Sequence, residues 1–192
     1  MESRSADHFQ QLYASADDPW GFGSSPYERD KYRRTVALLG DRRFARGLEV
    51  GCSIGVLSRL LADRCDTLLG VDIVEQPLAA ARARCEAMPA VTFRRMRVPD
   101  EWPEGPFDLM VFSEVLYFLT PADIERCAAR VAGSLTPDAA VVLVNWLGVS
   151  DDPCTGDEAA ERFIAATQGL LQVAAQDRQP GYRLDLLQGS AG

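Results

Sequence analysis

Residues 48–55 have the sequence LEVGCSIG, and this stretch decides the fold of the chain. A short apolar run ends at Gly51, a second glycine follows at Gly55, and the leucines beyond recur at helical spacing. A strand that turns sharply into a helix is the first unit of a doubly wound α/β sheet. Gly51 permits the tight turn and lets a ligand approach the backbone closely.

The spacing of these glycines is Gly-x-x-x-Gly, which differs from the Gly-x-Gly-x-x-Gly pattern of dinucleotide-binding turns. An acid, Glu49, stands two residues before Gly51. A pyrophosphate binds at the positive end of a helix, and a nearby carboxylate disfavours it. The loop is therefore better suited to a ligand that carries a cationic amino group.

Further strands and helices alternate along the rest of the chain, which predicts parallel βαβ units with helices on both faces of one sheet. Ser25, Thr120 and Thr155 are candidate helix caps. The expected fold is α/β, a single doubly wound, Rossmann-like sheet with a C-terminal antiparallel strand pair. The predicted strands cover residues 46–50, 68–73, 91–95, 107–112, 141–146, 170–176 and 182–187, and the better-defined helices cover 56–65, 76–87 and 155–168.

Length and composition indicate one globular domain. The chain has 192 residues, of which 47% are hydrophobic and 25% charged, and its formal net charge is −8. We expect one domain over 1–192, with an N-terminal arm or lid at 1–26 and a core at 27–192. The acidic balance disfavours nucleic acid and anionic membrane as partners, because both are bound largely through Lys and Arg.

Cysteine and histidine usage indicates a reducing compartment and no metal site. Five irregularly spaced cysteines, without a C-x-x-C pair, are expected to be reduced thiols of a cytoplasmic protein. His8 is the only histidine, so a structural zinc site is not expected. We see neither a leader peptide nor a stretch long and apolar enough to cross a membrane.

Asp72 is the second chemical signal. It ends a predicted strand 21 residues after Gly51, where α/β folds place the acid that accepts hydrogen bonds from ribose hydroxyls. An isolated aspartate at the end of a strand is more often a helix cap. Its distance from the glycine turn favours ribose binding.

These motifs together resemble the class I S-adenosylmethionine-dependent methyltransferases. The resemblance rests on Glu49-x-Gly51-x-x-x-Gly55, on Asp72 and on the FDL motif at 107–109. A narrower resemblance is to the rhizobial nodulation N-methyltransferases (NodS-like), which methylate the free amine of a deacetylated glucosamine oligomer. It is carried by the motifs DPW at 18–20, SPYE at 25–28, EVGCSIGV at 49–56, SEVLYFL at 113–119 and TGDE at 155–158.

The resemblance implies N-methylation of an amino sugar or an amino-sugar-bearing metabolite. S-adenosylmethionine would be the methyl donor and S-adenosylhomocysteine the product. The partner would be a small-molecule acceptor, and the protein would be a monomer or a weak homodimer. The residues implied to hold the cofactor are Glu49, Gly51, Cys52, Ser53, Gly55, Asp72, Ile73, Met96, Arg97 and Ser113.

Within this implied site, Asp72 would bind the ribose and Ile73 would pack on the adenine. The backbone at Met96 and Arg97 would meet the adenine edge. Two departures from the family pattern are visible. No acid follows the third strand to contact the adenine amino group, and alanines at 159–160 stand where relatives often have a histidine.

The aromatic residues of the N-terminal arm have two interpretations. Trp20 and Tyr27 flank a glycine-bearing segment and either form a hydrophobic plug or belong to a lid over the cofactor. In a lid, their ring faces would attract the sulfonium cation by about 0.5–2 kcal/mol. His8 in the same arm is expected to be a solvated residue of a frayed segment, with contact to the acceptor as its alternative.

The acceptor side is expected at the ends of the fourth and fifth strands. Glu114 and Tyr117 are the predicted catalytic residues, since that edge of the fold faces the transferred methyl group; a plain loop start is the alternative. Tyr117 and Trp146 are the predicted substrate-binding residues. Trp146 is either core or one wall of the acceptor site.

Three alternative functions stay open at this point. An O-methyltransferase of a sugar or other metabolite would usually need a His or Lys base. A non-catalytic cofactor-binding module is disfavoured by intact Gly51, Gly55, Asp72 and Glu114. A dinucleotide oxidoreductase is disfavoured by Glu49 and by the glycine spacing.

Overall fold

The fold is taken from a computed structural model that describes residues 2–189. Residues 1 and 190–192 of the predicted 1–192 domain lie outside the described residues. The strands are β1 (Phe44–Val50), β2 (Cys65–Asp72), β3 (Val91–Arg95), β4 (Phe107–Ser113), β5 (Leu135–Trp146), β6 (Leu171–Arg178) and β7 (Tyr182–Gly189). The helices are α1 (Ala6–Ser15), α2 (Pro26–Ala37), α3 (Val56–Ala62), α4 (Glu75–Arg84), α5 (Pro121–Ala132) and α6 (Gly156–Ala166), with a 3₁₀ turn at Leu116–Phe118.

All seven strands form one sheet in the order β3-β2-β1-β4-β5-β7-β6. Strands β1 to β5 pair in parallel, and β7 pairs antiparallel with both β5 and β6. The predicted doubly wound sheet with its C-terminal antiparallel pair is therefore confirmed. The chain order reverses between β1 and β4, which is the position where such sheets bind ligands.

The apolar cores on the two faces explain why β4 and β5 are nearly continuous apolar runs. Met110 and Phe112 pack into one core with α5 and α6, and Leu109 and Val111 pack into the other with α2 and α3. A strand covered on both faces needs apolar side chains at odd and even positions alike. Asp108 is a polar exception within β4, and its carboxylate accepts hydrogen bonds from the backbone N–H groups of β1 residues Ala45 and Arg46, at 2.7 and 2.8 Å.

The predicted helix caps are confirmed. Ser25 and Thr120 accept hydrogen bonds from the backbone N–H three residues later, and Thr155 forms a full capping box with Glu158. Several boundaries differ from the prediction. Helix α3 ends at Ala62 instead of residue 65, and α4 ends at Arg84 instead of residue 87.

Strand β5 begins at Leu135, six residues before its predicted start. Its first part contains Pro137 and Asp138, which are rare in strands. Leu135 nevertheless pairs with Phe107, with a register shift before Ala140. Pairing with a neighbouring strand, which is not visible in local sequence, overrides the local preference here.

The prediction of a frayed N-terminal arm is wrong. Residues 6–15 form helix α1, capped by Ser5 and carrying the buried Tyr13. His8 lies within this helix and is only partly exposed. A ten-residue helix is marginal by itself in water, so its contacts with the rest of the fold stabilise it.

Among residues 2–189, no helix has the length and apolar character required to cross a membrane.

Candidate active site

A cavity of about 570 Å³ opens at the carboxyl ends of the parallel strands. Loops after β1, β2, β3, β4 and β5 form its walls, and the N-terminal segment including α1 covers it. The cavity lies at the reversal of strand order between β1 and β4, as the fold class predicts. Its volume is within the range of about 300–1,000 Å³ that is typical of small-molecule sites.

Most of the site residues predicted from the sequence meet in this one cavity. They come from segments as distant in the chain as the N-terminal arm and the end of β5. Those that line it are Trp20, Tyr27, Gly51, Ser53, Asp72, Ile73, Met96, Arg97, Ser113, Glu114, Tyr117 and Trp146.

Three predicted cofactor residues do not line the cavity. Glu49 is 1% exposed and, together with Cys52, lines a separate void of about 20 Å³ beneath the glycine turn. Gly55 serves packing, because a Cβ there would lie 2.9 Å from the Cα of Ala81 in α4. Any role of these residues toward a ligand therefore acts through the loop that they support.

Glu49 is a buried carboxylate with incomplete hydrogen bonding. Its Oε2 accepts a hydrogen bond of 2.5 Å from the hydroxyl of Ser58, while Oε1 is buried without a partner among the described residues. Burial is the main reason that the pKa of Glu49 rises to about 7, and Asp72 adds to the rise. Such a group costs stability, which points to a functional reason for its presence.

Asp72 is held rigidly at the cavity wall. Its two carboxylate oxygens each accept a 3.0 Å hydrogen bond, from the backbone N–H of Ser53 and of Val74. Burial raises its pKa to about 6, although these backbone donors oppose the rise. Each oxygen keeps a second lone pair, and the residue faces the cavity.

The glycine turn brings the ends of β1 and β4 into close contact. Gly51 has φ of 83°, and a Cβ there would overlap the side chain of Val115 and lie 2.7 Å from the carbonyl oxygen of Ser113. Ser53 also has a positive φ, of 45°. Glycine is therefore required at position 51 for two reasons, its positive φ and the lack of space for a side chain.

Helix α1 is anchored at both ends across the cavity. At its C-terminal end, the hydroxyls of Tyr13 and Ser53 share a 2.6 Å hydrogen bond, and Gln76 donates to the Tyr13 carbonyl at 2.8 Å. Before its N-terminal end, Arg4 forms a 2.8 Å ion pair with Asp152. The sequence analysis missed Tyr13, whose only signal is an aromatic residue on a weakly amphipathic helix.

The aromatic residues of the arm form a cluster on the cavity wall. Trp20 stacks on Phe22 at 5.3 Å between ring centroids and meets Tyr13 edge-on at 5.4 Å. All three residues line the cavity, and Trp20 is still 39% exposed. The segment therefore both packs on the core and lines the cavity, and its action as a lid stays a prediction.

Glu114 stands at the start of the loop after β4 with an unusual backbone conformation. Its φ is 55°, and its backbone N–H donates to the Val144 carbonyl at 2.9 Å. Its Oε2 lies 2.5 Å from the ammonium of Lys31. Burial raises the pKa of Glu114 and Lys31 opposes that rise, as does their hydrogen bond.

Lys31 is the main site residue that the sequence analysis missed. It is the only lysine of the chain, among 20 basic residues that are otherwise arginines, and it is 1% exposed. A single lysine in an arginine-rich chain, three residues after the acid of the SPYE motif, was the available signal.

Three further predicted residues line the cavity, namely Tyr117, Trp146 and His8. Tyr117 is 7% exposed, and burial raises its pKa well above the ordinary value. Trp146 packs on the core beside α6 and also lines the cavity, and its role toward an acceptor stays a prediction. His8 lines the cavity from α1, with its ring edge-on to Phe9.

Comparison with known protein families assigns the chain to one of them. Residues 5–146 match the family model of nodulation protein S (NodS). The chain belongs to the NodS family. Nodulation protein S of Rhizobium tropici is 31% identical over 140 residues, which are 71% of this chain and 59% of that protein. The chain thus spans about three fifths of the length of this curated relative.

Solved structures share the fold. N-methyltransferase NodS from Bradyrhizobium japonicum WM9, in complex with S-adenosyl-L-homocysteine, has a TM-score of 0.80 at 21% identity and covers 95% of this chain and 98% of its own. A putative methyltransferase from Pseudomonas syringae has a TM-score of 0.72 at 31% identity, covering 84% of this chain and 98% of its own. The family resemblance of the sequence motifs is confirmed.

Proposed function

We propose that this NodS-family chain transfers a methyl group from S-adenosylmethionine to the amine of a small molecule. The observation that carries the proposal is the cavity at the strand-order reversal, with the rigid Asp72 on one wall and Glu114 on another. Membership of the NodS family and the N-methyltransferase activity named for the B. japonicum relative support it.

The residues present fit the cofactor. Asp72 is fixed by two backbone donors and keeps lone pairs for the two ribose hydroxyls. Gly51 and Ser53 would meet the methionine part beside Ser113, and Ile73 would pack on the adenine. The backbone of Met96 and Arg97 would meet the adenine edge.

S-adenosylmethionine supplies an activated methyl group, so the protein mainly has to position the acceptor and exclude water. Glu114 and Tyr117 would orient the acceptor amine, and Trp146 would form a wall. We propose that residues 1–26 act as a lid over a core that begins at residue 27. The anchoring of α1 at both ends supports this role.

An amino sugar or an amino-sugar-bearing metabolite is our proposed acceptor class. Carboxylates outnumber cations on the cavity wall, which favours a cationic or neutral ligand over a phosphorylated one. The aromatic face of Trp146 suits stacking with a sugar ring. We further propose a cytoplasmic location, which the five buried free thiols support. We also propose a monomer or weak homodimer.

Calorimetry tests the cofactor. Titration of S-adenosylhomocysteine into the folded protein should release heat with a micromolar dissociation constant, and NADH should give none. Binding of NADH alone would favour an oxidoreductase, and binding of neither would refute the proposal.

Product analysis tests the reaction. Amino sugars and glycosylated metabolites are incubated with S-adenosylmethionine and screened for release of S-adenosylhomocysteine. The new methyl group should lie on nitrogen. A methyl group on oxygen would establish an O-methyltransferase instead, and cofactor binding without turnover of any acceptor would favour the non-catalytic module.

A further inference from the structure

A buried cluster of three charged side chains underlies the acceptor side of the cavity. The ammonium of Lys31 lies 2.5 Å from Oε2 of Glu114 and 2.9 Å from Oε1 of Glu28. Glu28 and Lys31 are 6% and 1% exposed, and the Glu114 side chain is 12% exposed. Two carboxylates thus share one ammonium in a site that is largely closed to water.

Aromatic rings and carboxylates surround Lys31. The rings of Tyr27 and Tyr32, on the same helix, have centroids 5.3 and 5.8 Å from Nζ, within cation–π range. Glu28 faces it from α2 and Glu114 from the end of β4. Tyr117, after β4, is the further titratable group on which both carboxylates act. Beyond these groups, Tyr182 on β7 acts on Tyr27, Glu49 on β1 acts on Tyr32, and Asp152 after β5 acts on Tyr117.

The orientation of Glu114 follows from this cluster. Lys31 engages Oε2, and within residues 2–189 no hydrogen bond engages Oε1. Glu114 lines the cavity, as does Glu28, whereas Lys31 lies behind them. The lysine therefore sits on the protein side of Glu114 and leaves one carboxylate oxygen for a ligand.

We propose that Lys31 is a positioning residue, whose ammonium keeps Glu114 ionised and leaves its second oxygen free to accept a hydrogen bond from the acceptor amine. This inference rests on the proposed N-methylation. Without the ammonium, two carboxylates would share a buried site, and like charges in such a site force one of them to take up a proton. A protonated Glu114 would be a poorer acceptor for an amine N–H.

Lysine suits this position better than arginine. Its ammonium is a compact point charge with three donors, which can serve two carboxylates at an angle, whereas the planar guanidinium is built for bidentate pairing. This geometry gives a physical reason for a single lysine in a chain that otherwise uses arginine.

The first test measures the titration of Glu114 directly and needs no acceptor. Protein labelled with ¹³C at the glutamate carboxyl carbon is titrated by NMR, and the Glu114→Gln variant assigns the resonance. An opposite charge within about 4–6 Å lowers a carboxyl pKa by about 1–3 units. Lys31→Met should therefore raise the titration midpoint of Glu114 by about 1–3 pH units.

Glu28→Gln provides a change of opposite sign, because it removes a competing carboxylate and should lower the same midpoint. Arg33→Met is the matched control, since Arg33 is exposed on the same helix, and it should leave the midpoint unchanged. Coinciding midpoints in wild type and Lys31→Met would overturn the inference.

A measurement on the wild type guards against a variant that fails to fold. Because the chain has one lysine, ¹³C labelling at lysine Cε gives a single side-chain resonance. We expect this resonance to move over the same pH range in which the Glu114 carboxyl resonance titrates, because the two groups lie 2.5 Å apart. A lysine resonance that does not respond to the protonation of Glu114 would overturn the inference.

The last test links the cluster to turnover, with glucosamine and its oligomers as the probe acceptors. Lys31→Met should lower kcat at least tenfold while S-adenosylhomocysteine binding changes less than threefold, and its pH–rate profile should shift. If Lys31→Met has an unchanged pH–rate profile and normal cofactor affinity, this inference is overturned while the proposed function still stands. Failure of the wild type to bind S-adenosylhomocysteine would instead refute the proposed function, and this inference with it.

Discussion

Glu49→Gln should stabilise the ligand-free protein, and the gain should grow with pH. In the folded protein burial raises the pKa of Glu49 to about 7, from an ordinary value of 4.5. A raised pKa means that ionisation at neutral pH costs folding stability. The amide removes this cost, keeps an oxygen for the Ser58 hydroxyl and replaces a carboxylate oxygen that already lacks a partner.

The size of the effect follows from the two pKa values. Below pH 4.5 Glu49 is protonated in both the folded and the unfolded chain, so it has no charge-related cost. The cost develops as the pH rises toward 7 and is complete above it, and at 1.36 kcal/mol per pKa unit it reaches about 3 kcal/mol. Between pH 5 and pH 8 the advantage of the variant should grow by about 2.5 kcal/mol.

Urea unfolding at pH 5 and pH 8 measures this difference. Comparing the two pH values cancels contributions of the substitution that do not depend on charge. Glu125→Gln is the matched control, because Glu125 is exposed on α5, and its effect should be the same at both pH values within 0.5 kcal/mol, the usual range of surface substitutions. A Glu49→Gln effect that is independent of pH, or a loss of stability that grows with pH, would refute the reasoning.

Three further predictions concern the proposed activity. Asp72→Ala should weaken S-adenosylhomocysteine binding by about 1.5–3 kcal/mol for each charged hydrogen bond lost, and Asp72→Asn should have a milder effect. Wild-type affinity should rise as the pH passes about 6 and Asp72 ionises. Unchanged affinity of Asp72→Ala in calorimetry would exclude the ribose role. Deletion of residues 1–20 should leave a folded core, because the sheet begins only at Phe44. The deletion should reduce turnover more than it reduces stability. Methylation at the full rate would show that the arm only packs against the core. Glu114→Gln should lower kcat about 10- to 100-fold, because a charged hydrogen bond is lost. Its effect on cofactor affinity should be smaller. Undiminished turnover in a steady-state assay would exclude Glu114 from catalysis.

Local sequence was sufficient for the fold class and for the parts of the site that lie next to strand ends. The LEVGCSIG turn, the apolar runs of β4 and β5 and the caps at Ser25, Thr120 and Thr155 are short-range signals, and the structure confirms each of them. Asp72 was located by its distance from Gly51. In a parallel sheet the carboxyl ends of strands meet at one edge, so residues at those ends are brought together by topology alone.

Boundaries were less predictable where a neighbouring strand decides the conformation. The first part of β5 carries Pro137 and Asp138 but pairs with β4 all the same, and α3 stops at Ala62 because β2 starts at Cys65, opposite Phe44. Helix α1 was missed because its stability comes from contacts with distant loops, such as the bond between Tyr13 and Ser53.

Only the tertiary structure revealed which predicted site residues contact the cavity and which support it. Glu49, Cys52 and Gly55 lie in the same motif as Gly51 yet do not line the cavity, because Glu49 and Cys52 face a smaller void and Gly55 packs closely on α4. The pairing of Lys31 with Glu114 joins residues 83 positions apart. Sequence determines which charges a chain carries, but burial and distance determine their pKa values and partners, and both exist only once the sheet and α2 have packed together.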